Sequence, residues 1–371
     1  MRGSKILNDP IQQERLLSLD VFRGFTMLFL IAEFTHFFSF LADSQLEGTI
    51  LHTIGMQFHH HPWNGLRFWD LIQPFFMFIV GVAMPFSFAK RLERGDSYAK
   101  MFRHALFRSL MLLGLGISIY IVQAGHLVLE LWNVLAQLSV TYFVTFLLMR
   151  MGFRWQVLFT FMLLVATELA YRFWWVPGFD QPFTPGHNFG SWVDMLLMGK
   201  LSSGHWVAVN AIPTMAHTIW GALAGYLLLS DREPMKKIKI LVILGLAGVV
   251  AGYALDPVTP IIKRICTSSF VIVSGGWCLL ALAFFFWLVD LKGYRKWAQF
   301  AVVFGMNPLF IYLFSLLGGS DWLKTIVHPF SSGVLVGIDP TGVAVVTALI
   351  VLWMEWYLVH FLFKHKVFIR I

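Results

Sequence analysis

The chain has 371 residues, 58% of them hydrophobic and only 13% charged, against roughly 25% charged in an average soluble domain. That balance excludes a soluble globular protein and makes lipid the solvent for most of the chain. The formal net charge of +8 lies in short basic clusters between apolar runs, which mark membrane orientation and lipid headgroup contact rather than nucleic-acid binding.

Ahead of the first apolar run, residues 1–18 read as a cytoplasmic amphipathic lead-in. Asp9 and Pro10 suit an N-cap and first helical position, and Ile11, Leu16, Leu17 and Leu19 supply an apolar face. No cleavable secretory signal is visible, because the run that starts near Leu19 outlasts an h-region without a small-residue cleavage site. A helix needs about 20 apolar residues to cross a ~30 Å core, and such runs recur at 19–41, 68–89, 105–124, 130–149, 156–174, 208–229, 238–256, 268–289, 297–317 and 341–363. The expected fold is therefore all-α, a polytopic integral membrane bundle of about ten spans forming one domain over 1–371. With ten spans both termini share a side. Most Lys and Arg fall on that side, around Lys90–Arg108 and Arg232–Lys239, so the positive-inside rule makes both termini cytoplasmic. Long external loops are expected at 175–207 and 318–340, rich in Gly, Pro, Trp and His.

Ionisable residues within apolar runs are costly and are the first candidates for function. Glu33, Asp70, Glu168, His217 and Glu355 are of this kind, and each could equally serve a neighbouring helix as a buried hydrogen-bond partner. Asp70 stands out because His59, His60, His61, Pro62, Trp63, Asn64 and Gly65 lead into its span from the outer side. Histidine there can take and return a proton near neutral pH, whereas solvated loop histidines are the plain alternative. Three consecutive histidines diverge and have no Cys or close carboxylate beside them, so no metal is expected. Asn307 and Pro308 interrupt the ninth run. Pro308 should kink that helix, and Asn307 is either helix–helix glue or a donor aimed at substrate. Cys266 and Cys278 lie about 18 Å apart along a helix, too far for a disulfide.

The stretches RLLSLDVFRGFTM (15–27) and HHHPWNGLRFWDLIQPFFMFIVGVAMPFS (59–87) resemble the transmembrane acetyltransferases related to heparan-α-glucosaminide N-acetyltransferase and their bacterial relatives. FRHALFRSLMLLGLG (102–116), VLAQLSVTYFV (134–144), TSSFVIVSGG (267–276), GMNPLFIYLFS (305–315) and FLFKHKVFIRI (361–371) are similar in order and spacing. The resemblance implies a catalytic histidine three residues before the Trp of a His-x-x-Trp block, which is His60. It also implies acetyl-CoA as co-substrate, docking from the cytoplasm, and an amino sugar or glycan acceptor on the far side. Arg15, Arg23, Arg103 and Arg108 are then the candidates to hold the CoA phosphates, since Arg pairs bidentately with phosphate. Asp70 could orient His60 if the segment at Pro62 folds back, and Asn64 or Asn307 could donate to the oxyanion. His59, Trp63, Asn64 and Glu33 would surround the acceptor. The chain departs from the family at Glu33–His36, where an Asn is usual, and at Gln137, where an Arg is usual; an Asp-Pro-Glu-Gly block is also missing before the sixth run.

These residues point first to a transmembrane acetyltransferase for an amino sugar, in a bacterial cytoplasmic membrane with lipids as its surroundings. A secondary transporter of sugars or small acids and an O-acyltransferase of an envelope polysaccharide are the alternatives. A transporter would need no acyl donor and should show internal repeats, which the sequence lacks. The outward aromatic spans permit a homodimer.

Overall fold

The computed structural model describes residues 16–335, 337 and 340–369, and among these every regular element is helical. The expected lead-in lies almost wholly outside the described residues, as does Arg15. Helix α1 spans Leu17–Phe34, and α2, Ile72–Glu93, is preceded by a 3₁₀ turn at Phe68–Leu71. There follow α3 (Tyr98–Ala124), α4 (Val134–Leu148), α5 (Phe153–Arg172), α6 (Phe189–Met198), α7 (Ala211–Leu229), α8 (Pro234–Leu255) and α9 (Ser268–Phe285). The chain ends with α10 (Ala298–Met306), α11 (Pro308–Leu316), α12 (Gly319–Val334) and α13 (Pro340–Lys364).

Every apolar run expected to cross the membrane is helical, but not every one is a full span. Among the described residues seven helices are long and apolar enough, and the α10–α11 pair makes an eighth if its 74° bend is counted within one span. Of the other two, α1 carries Asp20, Arg23 and Glu33, and α4 has only 15 residues. The bend falls at Asn307, where Pro308 starts α11 at the position a helix tolerates best. The segments expected as loops at 175–207 and 318–340 contain α6 and α12. Helix α12 places Leu323, Val327 and Ser331 inward, a spacing that packs it against α13.

Small residues decide which helices meet. Gly81 of α2 sits against the Thr218 carbonyl of α7, while Gly221 and Gly225 of α7 sit against the Phe78 and Val82 carbonyls of α2. Without a hydrophobic drive between helices in lipid, such close backbone approach is what holds them. A second seam runs between α8 and α9 through Gly245, Gly248, Gly252 and Gly276, and a third joins Gly24 of α1 to Ala301 of α10. Gly221→Val would drive two methyl groups into the α2 backbone. Overpacking of that kind is expected to cost on the order of 3 kcal/mol. A clear fall in the thermal midpoint of the detergent-solubilised protein checks it; an unchanged midpoint would mean that α2 and α7 can part freely.

Most ionisable side chains expected inside the apolar runs serve the fold. Glu168 accepts from Arg172 Nε at 2.6 Å and from Thr259 Oγ1 at 2.7 Å. Glu355 accepts from Ser315 and Ser320, and His217 Nε2 lies 2.8 Å from Ser274 Oγ. Cys266 and Cys278 are both buried free thiols.

Candidate active site

The segment 58–67 closes on itself through the Asp70 carboxylate. Oδ2 accepts the backbone N–H of Arg67 at 2.9 Å and of His61 at 3.2 Å, the first being half of a capping box for the turn that follows. Gly65, with φ 145°, donates its N–H to the Ile261 carbonyl at 2.8 Å and ties this loop to the 256–267 loop. A side chain at Gly65 would be strained there and would strike the His61 ring. The fold-back at Pro62 that a contact between His60 and Asp70 requires is thus built by the backbone donors on one carboxylate oxygen, which frees the other.

That other oxygen, Oδ1, lies 2.9 Å from His60 Nδ1. A carboxylate can only accept and the Lys263 ammonium, 3.2 Å from the same nitrogen, can only donate, so Nδ1 serves one of them. The shorter Asp70 contact puts the proton on Nδ1, leaves the Lys263 approach a charge contact without a hydrogen bond, and keeps the lone pair on Nε2. Asp70 is 1% exposed, while the His60 ring lines a large cavity. The Lys263 ammonium lies 3.2 Å from His60 Nδ1 and 3.8 Å from Asp70 Oδ1, and is itself buried. Trp206 packs edge-on to His60 at 5.2 Å and presents its face to both Lys263 and Arg264. Burial, then the Lys263 charge, holds the His60 imidazole down to about 4. Burial likewise pushes the Lys263 ammonium down to about 8, with Asp70 opposing. Such a group of mutually perturbed side chains facing a cavity is a recognised mark of chemistry.

The cavity encloses about 890 Å³, within the range of small-molecule sites. One stripe of α2 lines it from Trp69 through Gln73, Val80 and Ser87 to Arg91. At 1.5 Å per residue that stripe is about 33 Å long, comparable with the hydrocarbon thickness of a bilayer. At one end stand His60, Trp206 and Lys263. At the other stand Arg91, His104 and Arg108, with Arg23 of α1 also on the wall. The Arg108 guanidinium lies 4.6 Å over the Tyr142 ring, and its buried Nε has no hydrogen-bond partner. Apolar and aromatic side chains, Phe76, Leu112, Leu138 and Tyr312 among them, form the walls between.

The structure therefore brings His60, Arg23 and Arg108 to one space, with Asp70 buried behind His60, and leaves other candidates outside it. Arg103 is exposed and does not reach the cavity. Asn307 is fully buried and gives its amide to the end of the chain, donating to the Val367 carbonyl at 2.9 Å and accepting from Ile369 N–H at 3.0 Å. Trp63 donates to the Phe183 carbonyl, packs edge-on to His205 and does not line the cavity. Asn64 is exposed on the loop, and Glu33 and His59 are half-buried beyond the lining. Gln137 bonds to Gln73, which does face the cavity. Among the described residues no three His, Cys, Asp or Glu side chains are grouped to hold a metal. Sequence reading missed Lys263, Trp206, Arg91 and His104.

No family model matches the chain. A stretch of 94 residues is 37% identical to heparan-alpha-glucosaminide N-acetyltransferase from Mus musculus, covering 24% of this chain and 14% of that protein. A stretch of 137 residues is 31% identical to the protein of the same name from Homo sapiens, covering 35% of this chain and 18% of the relative. The matched region thus spans less than a fifth of the length of either curated relative. These partial matches are to the proteins whose family the sequence blocks resemble, and the apolar helices support a multi-pass membrane protein.

Proposed function

We propose that this chain, related over part of its length to a transmembrane N-acetyltransferase, moves an acetyl group across the membrane from acetyl-CoA to an amino sugar or related glycan. The observation that carries the reading is one cavity with two unlike ends: arginines and a histidine at one, a carboxylate-oriented histidine at the other. In this reading all ten helical regions cross or enter the bilayer and both termini are cytoplasmic, consistent with the excess of Lys and Arg on that side. The membrane would be a bacterial cytoplasmic membrane. CoA phosphates cannot enter hydrocarbon, but the slim pantetheine arm can thread along the apolar wall across part of the ~30 Å core toward His60.

The chemistry needs no further component. An acceptor amine attacks the thioester carbonyl, the C–N bond forms and the C–S bond breaks. The amine proton passes to His60 Nε2, and from there to the departing CoA thiolate. Transient acetylation of His60 would use the same nitrogen. Incubating purified protein with acetyl-CoA and a panel of amino sugars, glucosamine included, tests the reading through release of free CoA. Release that requires the acceptor supports it. Its absence with every amine, alongside no thermal stabilisation by acetyl-CoA, would sink it in favour of a transporter; release with hydroxyl acceptors alone would redirect it to O-acylation.

The phosphate end yields a separate expectation. Arg91→Ala and Arg108→Ala should each raise KM for acetyl-CoA by about tenfold, the loss of roughly one charge-assisted hydrogen bond, with kcat little changed. Steady-state kinetics at two salt concentrations checks it; equal losses in kcat would place these arginines elsewhere than on the donor's phosphates.

A further inference from the structure

We propose that Lys263 is a positioning residue for this reaction, its charge anchoring Asp70 to His60 Nδ1 and excluding a second proton from the ring, so that Nε2 rests as a free base. The inference rests on the acetyl-transfer reading of the cavity. It stands on geometry that the proposed mechanism above does not use. The Lys263 ammonium is 3.2 Å from a ring nitrogen that already holds a proton, and 3.8 Å from the carboxylate oxygen accepting that proton. A second proton on His60 would place two full positive charges at contact distance in a buried site, a costly arrangement. One carboxylate cannot compensate both.

The surroundings of His60 leave Lys263 as the charge that decides its state. Asp70 favours the imidazolium. Against it act Lys263 and, from the same 256–267 loop, Arg264. The Arg67 guanidinium is turned to the His60 carbonyl oxygen at 3.2 Å. His59 and His61 flank it on its own loop, and Trp69 and Trp206 pack against it without charge. Lys263 is held where it is by the loop that Gly65 ties down and by the Trp206 face. The consequence is chemical. A base held at low proton affinity stays neutral in the resting enzyme, and it surrenders a proton readily to a thiolate, whose affinity is several units higher. The proton path from amine to Nε2 to sulfur then runs downhill in its last step.

Two readouts test this, and one does not need turnover. In protein labelled with ¹⁵N-histidine, the resonance lost in His60→Gln identifies the ring, and its titration can be followed in detergent. In wild type it should titrate near 4; in Lys263→Met it should move upward but stop short of the ordinary 6.5, because burial, the larger cause of the depression, remains. Lys263→Arg keeps the charge and should keep the low value. The acid limb of kcat/KM should move in parallel, up in the methionine variant and not in the arginine variant. An unmoved titration in Lys263→Met, or an equal shift in both variants, would overturn the inference, since a purely structural role would not follow charge. A variant that no longer folds in the methionine case but is intact as arginine is decided by comparing arginine with Lys263→Gln. Absence of acetyl transfer in wild type would remove the proposed function while the titration still reports whether Lys263 governs His60.

Discussion

Alanine at position 60 is expected to reduce acetyl transfer by about 10²–10⁴-fold, the usual contribution of a positioned general base, while acetyl-CoA still stabilises the protein thermally. The separation follows from the cavity. His60 stands at one end beside Trp69, whereas Arg91 stands about 33 Å away along that stripe at 1.5 Å per residue and Arg108 lies on the facing α3, so removing the imidazole leaves the phosphate end intact. The ring is also held rather than holding. Its partner Asp70 keeps the backbone N–H groups of His61 and Arg67 when the ring is gone, so the loop should persist. Comparing single-turnover rates with the thermal shift on adding acetyl-CoA checks both halves. Wild-type rates in the variant would remove His60 from the chemistry, and loss of the thermal shift would mean that the two ends are not independent.

Asp70→Asn should be nearly as damaging, a loss on the order of 10³-fold, through the tautomer rather than the charge alone. The two backbone N–H groups on Oδ2 would orient the amide, drawing its oxygen to themselves and turning its NH₂ toward His60. Nδ1 would then have to accept, the ring proton would move to Nε2, and the free base would be lost. Lys263 would lose its counter-charge in a buried position, which adds a cost to stability. The variant therefore should melt lower than wild type but remain folded, with a rate no better than that of the His60→Ala protein by more than about tenfold. Activity within tenfold of wild type would exclude an orienting role for Asp70.

Much of this architecture is legible from run length, because lipid forces every backbone group into a helix and so makes apolar length a structural ruler. The ruler misleads where packing replaces length. Helix α4 is short because Asn133 starts it, capping Leu135 and Ala136 and bonding back to the Gly116 carbonyl of α3. Helix α12 is hidden because Pro329 and its flanking glycines look like a loop, although Leu323, Val327 and Ser331 carry a helical spacing. At the site, the pairing of His60 with Asp70 was readable as a possibility of chain reversal at Pro62. Lys263 was not, because a lysine between spans ordinarily marks a wet loop. What buries it is the 58–67 loop and Trp206, residues far away in sequence whose convergence no local pattern encodes. Asn307 failed in the opposite direction: its break in the helix was visible, but the chain end that occupies its amide was not.

The bend at Asn307 and the seam between Gly24 and Ala301 bear on how the chain is made. Helix α1 brings Asp20, Arg23 and Glu33 to the translocon; a charge costs about 2.5–3.5 kcal/mol at a helix centre and less toward the ends, where Asp20 and Glu33 lie, but three charges in 18 residues still weaken its insertion. Helices α10 and α11 have nine residues each, too short to span alone. Two segments poorly able to settle in a bilayer by themselves are thus ones that pack backbone to backbone, although about three-quarters of the chain is synthesised between them. The α1 face that meets Ala301 has no partner until the ribosome has passed residue 301. Assembly of this bundle is closed late, by α1 waiting for α10.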